Sequence, residues 1–195
     1  MPESPSRPTA ASRIRETANE LFYREGIRAV GVEEIVTRAG VTKPSLYRAF
    51  SSKDELAACY LRDYEARFWA RFDAAVAAHP EDPRAQIAAF LAPLGARAAM
   101  AGFRGCGLTN AAVEYPGPDH PARAVSESNK RELRRRLRAM AVAMGGPDAL
   151  GDGLLLLIEG AYVSGQLFGP GGPAASVAEN AERLIRGWTD PGASD

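Results

Sequence analysis

The stretch AGVTKPSLYRAFSSKDEL, residues 39–56, decides how the rest of this chain is read. A proline in a helix interior removes a backbone donor and clashes with the preceding turn, but the first turn tolerates it. With Thr42 as N-cap, Pro44 falls in that first turn, and the pattern predicts a helix over 43–50. Two turns are marginal alone, so neighbours must hold this helix in place. Leu46 and Phe50, four apart, form its inward face. Thr42, Lys43 and Ser45 crowd its start, and Tyr47 lies on its outer side.

On the N-terminal side, IRETANELFYREG (14–26) sets Ile14, Ala18, Leu21 and Phe22 on one face of an amphipathic helix, with Gly26 just past its end. GVEEIVTRAG (31–40) follows as a shorter helix with Ile35, Val36 and Ala39 inward, ended by Gly40. Two short helices joined at AGVT and packed on a longer one match the helix-turn-helix design, whose second helix lies in the DNA major groove. Downstream, Ser52 and Glu55 form a capping box that opens a helix predicted over 53–78. At 1.5 Å per residue that helix is about 39 Å long, enough to leave one domain and enter another.

Further helices are predicted over 84–101 (bent at Pro93), 108–115, 122–144, 148–168 and 174–188. No β pattern of any length occurs. The expected fold is therefore all-α, with about nine helices. Residues 1–11 read as a flexible arm, 12–55 as a helix-turn-helix DNA-binding domain, and 56–195 as a ligand-binding and dimerisation domain.

At 195 residues and 46% apolar composition the chain has ample material for a core. Its 24 basic residues balance its 24 acidic ones, so distribution matters more than net charge. Through Lys53 nine basic residues face six acidic ones, an excess that suits phosphate neutralisation. Cys59 and Cys106 show no ligand-like spacing, and no apolar run approaches the ~18 residues of a membrane helix. With no apolar signal core at the start, a reduced, cytoplasmic setting is expected, with no membrane association, cofactor or metal. An enzyme would need a nucleophile and base or a metal cluster. Only His79 and His120 are present, both in proline-rich breaks.

The pattern AxxLFxxxGI (Ala18, Leu21, Phe22, Gly26, Ile27), followed by VEEIVTRAGVTKPSLYRAFSSKDEL (32–56), resembles the TetR family of one-component transcriptional regulators. The resemblance covers about a quarter of the chain. It implies an all-helical homodimer that binds a palindromic operator on double-stranded DNA. A small-molecule effector bound in the C-terminal domain would release it, as in a repressor. The expected DNA contacts fall on Thr42, Lys43, Pro44, Ser45, Tyr47, Arg48 and Lys53, of which Lys43, Tyr47 and Lys53 match the family's contact positions. The chain departs from the family in two places. Val30 and Gly31 stand where a Thr or Ser usually opens the second helix, and Ala49 stands where many members carry His.

For the effector, Trp69, Phe72, Phe90, Phe103, Asn110, Glu114, Tyr162 and Gln166 form the expected lining, with Glu159 a further polar fixture. A buried Glu114 is destabilising unless paired, so it either meets water or has a partner. Cys106 reads as a small buried thiol or, in the alternative, as the sensor of a redox-responsive or helical interaction regulator without an effector. RELRRRLRAM (131–140) carries its arginines on an outer face, because Leu133, Leu137 and Met140 keep an inward stripe. Dimerisation is expected on the last two helices, through Gly153, Gly160, Ala161 and Gly165 with Leu157, Phe168, Leu184, Ile185 and Trp188.

Overall fold

The computed structural model describes residues 8–189, which form nine α-helices with no strand among the described residues. Helix α1 (Ala10–Glu25) opens at an N-cap, Thr9, whose hydroxyl accepts from Ser12 N. It therefore begins inside the segment expected as an arm; residues 1–7 of that segment lie outside the described residues. Helices α2 (Val32–Ala39) and α3 (Lys43–Ala49) pack on α1, burying Ile35, Val36, Ala39 and Leu46 against Ile14, Ala18 and Leu21. Helix α4 (Lys53–Ala78) has the expected bounds. The Ser52 hydroxyl accepts from Glu55 N at 3.1 Å, but the Glu55 carboxylate takes Ser51 N (2.6 Å) instead of closing the box on Ser52.

The C-terminal body is built from α5 (Pro83–Ala98), α6 (Gly107–Glu114), α7 (Pro121–Ala143), α8 (Asp148–Phe168) and α9 (Val177–Thr189). Helix α5 keeps Pro93 inside it and stops three residues before the expected end. Ala99 N and Met100 N turn back to Ala96 and Arg97 carbonyls in 3-10 fashion, which closes the helix. The segment expected as one last helix opens instead as a 3-10 turn, Pro173–Ser176, before α9. Buried residues form one continuous core from Ile14 to Ile185, and α4 carries it from the DNA-reading head into the body. Leu56, Ala57 and Leu61 sit in the near half of α4, and Phe68, Phe72 and Ala75 in the far half.

The arginine run of α7 is tied down by ion pairs. Arg134 and Arg138 both bind Asp152 of α8, at 2.8 and 2.6 Å. Arg136 bridges Glu132 and Asp73 of α4, and lies 4.2 Å from the Trp69 ring centre. The two arginines beside Glu132 hold its carboxyl down at about 2. These side chains lock α7 to α8 and α4, so the outer face of this basic run serves the fold.

Candidate nucleic-acid interface and head–body cleft

The turn of the helix-turn-helix depends on Gly40, which adopts a left-handed conformation (φ 61°, ψ 43°) that side-chained residues resist. Val41 N then reaches Val36 O at 3.0 Å and closes α2, while Arg13 of α1 donates to the Gly40 carbonyl. One residue later Thr42 caps α3, its hydroxyl within 2.9 Å of Ser45 Oγ. Leu46 is fully buried and Phe50 half-buried, so the helix is anchored from below. Thr42, Lys43, Pro44, Tyr47 and Arg48 remain exposed and Ser45 partly so. The DNA-facing residues expected on α3 therefore share one accessible surface.

One of the expected contacts is already engaged and another is partly desolvated. Lys43 Nζ donates to Glu33 Oε1 of α2 at 2.6 Å, and this contact raises the ammonium pKa. Both groups are largely in water, so a phosphate or base edge can displace this weak, screened pair. Lys53, in the first turn of α4, is partly desolvated, which lowers its pKa. Ala49 is exposed at the end of α3, and Val30 is fully buried beneath the head. Gly31 caps α2 without any side-chain bond.

RGCGLTNAAVEYPGPDHPAR (104–123) proves to be a strap joining head and body. The Tyr23 hydroxyl accepts from Arg104 N (3.1 Å) and donates to Gly105 O (3.4 Å), and Tyr64 donates to the same carbonyl at 3.3 Å. Asn110 Nδ2 donates to Arg104 O at 2.7 Å. Glu114 reaches the α1–α2 loop, where Arg28 N donates to its carboxylate at 2.8 Å. His120 caps α7, stacks on Tyr115 at 3.8 Å and faces Asp54 of α4 at 3.5 Å. Gly105 sits at φ 69°, and a Cβ there would press on Gln166 and lie 2.8 Å from Tyr162 O. Gly105→Ala is expected to cost about 2–4 kcal/mol, from the left-handed penalty plus overpacking. Urea unfolding of the variant measures it; a loss below ~1 kcal/mol would show that the strap yields freely.

The eight residues expected to line one effector pocket do not meet in one cavity. Phe72 and Phe90 pack edge-on at 5.1 Å, and Phe68 joins both Phe90 (5.7 Å) and Trp69 (5.0 Å). These rings fill the core by touching one another, and Trp69 is further covered by Arg136. Phe103 stacks on Tyr162 at 6.5 Å. Asn110, Glu114 and Gln166 do come together, in a cleft of about 240 Å³ between head and body. Phe22, Tyr23, Ile27, Tyr60, Arg104 and Val113 complete its wall.

Glu159 lies elsewhere, in a partly buried polar box that the sequence pattern did not reveal. It accepts from Lys130 Nζ and Thr109 Oγ1, both at 2.6 Å. Lys130 also lies 3.4 Å from Cys106 Sγ and within 6 Å of the Phe68 and Tyr162 ring centres. Burial pulls the Lys130 pKa down, but Cys106 and Glu159 outweigh it and the net shift is upward. The Tyr162 hydroxyl is buried with no partner, and burial pushes its pKa up. Along α7, Lys130 stands four after Ser126 and three before Leu133, both buried. That register places it on the inner stripe, and it was the available signal. No cluster of three or more His, Cys, Asp or Glu suited to a metal occurs among the described residues.

An all-helical chain whose capped, exposed α3 follows a tight turn has helix-turn-helix geometry, and comparison gives its family. The model for bacterial regulatory proteins of the tetR family matches residues 14–58. A TetR-family transcriptional regulator from Streptomyces coelicolor has the same fold at TM-score 0.83 and 31% identity, over 95% of this chain and 96% of that one. The chain belongs to the TetR family of transcriptional regulators, and is a DNA-binding regulator, not an enzyme. Two curated relatives from Mycolicibacterium smegmatis match over shorter stretches. They are the HTH-type transcriptional activator FasR (56% identical over 39 residues) and the HTH-type transcriptional repressor KstR2 (33% over 64). Those matches cover 20% and 32% of this chain, and the chain spans only 18% and 31% of the length of these relatives. No helix among the described residues is long and apolar enough to cross a membrane.

Proposed function

We propose that this regulator is a homodimeric repressor that reads a palindromic operator through α3 and is released by a small, largely hydrophobic effector. The observation that carries the DNA reading is the accessible surface of α3, where Lys43, Tyr47 and Arg48 stand clear of a buried Leu46. In this reading residues 12–55 form the DNA-binding domain and 56–195 the effector and dimerisation domain. The effector occupies the head–body cleft, where Phe22, Ile27 and Val113 give apolar surface and Arg104, Asn110, Glu114 and Gln166 give polar groups for a small ligand. Binding there would press on Tyr23 and Glu114, the side chains that tie the head to the strap. Selection from a random duplex pool tests the proposal. An inverted repeat with half-sites about one or more helical turns apart is expected, and a site without two-fold symmetry would overturn the dimeric reading.

The apolar face that α8 leaves exposed, which we take as the dimer surface, differs in detail from the small-residue face expected from sequence. Gly165 is closed off by Phe103 and Ala98, and Ala161 and Ile185 are buried within the protomer. Leu156, Val163 and Leu167 are exposed on α8 with Gly160, whose Cβ position meets open space. Their spacing makes one continuous stripe, flanked by exposed Phe168 and by Trp188 of α9. An isologous two-fold contact would cover it. The double variant Leu156→Glu with Leu167→Glu is expected to sediment as a monomer at micromolar concentration. A dimer of unchanged affinity would place the interface elsewhere.

A second reading makes oxidation of Cys106 the signal. Its support is the Lys130 ammonium 3.4 Å from the sulfur, and against it stands a thiol that is 1% exposed. Cys106→Ser decides between them: unchanged operator release by an effector, with no response of wild type to peroxide, removes the redox reading.

A further inference from the structure

Beside the head–body cleft, and separated from it by Tyr23, lies a second groove of about 360 Å³ between α1 and α4. Asn19, Glu20, Tyr23 and Arg24 of α1 line one side, and Tyr64, Arg67 and Arg71 of α4 the other. Arg67 and Arg71 are one turn apart and project from the same face of α4. Neither has a carboxylate partner among the described residues. Six other described arginines (Arg13, Arg28, Arg48, Arg62, Arg97 and Arg104) also lack one, whereas α7 arginines are held by Asp152, Glu132 and Asp73. What sets Arg67 and Arg71 apart is that both line one groove. Arg24 is committed to Glu20 at 3.3 Å. The nearby Asp63 is bound by Arg15 and by Asn19 Nδ2, and Arg67 lies close enough to help lower its pKa without forming an ion pair.

The aromatic side of the groove is equally specific. Tyr23 and Tyr64 stack with ring centres 6.2 Å apart and planes at 27°. Both hydroxyls are turned to the Gly105 carbonyl, so what the pair offers a ligand is ring surface. Two forked cations with no ion-pair contact, set beside stacked rings, suit a flat ring bearing a carboxylate. Arg67 and Arg71 stand about 21 and 27 Å along α4 from Lys53, which removes them from the duplex backbone that α3 and Lys53 address. We propose that this groove is a binding site for a small aromatic carboxylate, with the carboxylate on Arg67 and Arg71 and the ring against Tyr23 and Tyr64. Because those tyrosines share the Gly105 carbonyl with the strap, occupancy acts on the joint between head and body. The site is distinct from the cleft and is tested on the protein alone, so its failure leaves the operator and effector reading untouched.

The experiment is calorimetric titration of the full chain with benzoate, its neutral amide benzamide, and inorganic phosphate, at constant ionic strength. Benzoate is expected to bind saturably. Benzamide and phosphate are each expected to bind at least about tenfold more weakly, since one lacks the charge and the other the ring. The variant Arg67→Ala with Arg71→Ala is expected to lose at least about tenfold in benzoate affinity, while Arg131→Ala, a surface arginine on α7, changes it less than about threefold. Should the alanine pair fail to fold, Arg67→Gln with Arg71→Gln keeps the side-chain length and is expected to show the same loss. Absence of saturable benzoate binding, equal binding of phosphate or benzamide, or wild-type affinity in a folded Arg67/Arg71 variant would each overturn the assignment.

Discussion

Phe68→Ala is expected to lower the free energy of unfolding by about 3–5 kcal/mol, the range for truncating a buried aromatic. The ring is fully buried on α4, edge-on to Trp69 at 5.0 Å and to Phe90 at 5.7 Å. It links α4 to α5, and Lys130 Nζ of α7 lies 5.8 Å from its centre. Truncation removes the ring's dispersion contacts and leaves a void whose neighbours are themselves locked edge to edge. It also takes a polarisable surface from the partly buried Lys130 ammonium, which keeps Glu159, Cys106 and the Tyr162 ring. Val113→Ala, at a side chain 78% exposed, is the matched control and should stay within about 0.5 kcal/mol. Urea unfolding at one fixed protein concentration measures both, since an assembling chain's stability depends on concentration. A Phe68→Ala loss below ~1 kcal/mol would mean that the aromatic group is loosely packed.

The elements that were legible in sequence are those ended by strong local signals. Ser52 starts α4 and the His79–Pro80 break stops it, while Pro147 and Gly169 bracket α8, so both helices have the bounds read from sequence. The helix-turn-helix was legible for the same reason, because Gly40, Thr42 and Pro44 act within a few residues of their own backbone. What escaped depends on partners distant along the chain. Glu114 meets the Arg28 amide 86 residues away, and no pattern around Glu114 announces it. Lys130 sits in a basic run that looks solvated, yet its charge is taken up by Glu159, 29 residues on. Phe72 and Phe90, each more readily core than pocket wall when taken singly, were expected as lining because a helical stripe marks burial without saying what buries it. The 3-10 turn before α9 was hidden because Pro173 opens either kind of helix.

Lys43→Ala is expected to weaken binding to the selected operator by roughly 5–100-fold per half-site and to weaken random duplex much less, if its ammonium reads a base edge. In the free protein that ammonium is held by Glu33 at 2.6 Å, so the variant removes a DNA contact and also releases a carboxylate beside the groove. Glu33→Gln in the same background separates these effects, because it removes the released charge and restores only the part of the loss due to repulsion. Lys53→Ala, at the start of α4, should instead weaken all sequences alike and flatten the salt dependence by about one unit per half-site. Tyr47→Phe keeps the ring and removes only the hydroxyl, so a loss of about 3–10-fold per half-site isolates one hydrogen bond to phosphate. Titration of each variant against operator and random duplex at several salt concentrations gives all these quantities together. Equal losses on both duplexes for Lys43→Ala would assign Lys43 to the backbone. Wild-type affinity in all three variants would mean that α3 does not enter the groove, whatever its exposure, and that another surface of the head reads the DNA.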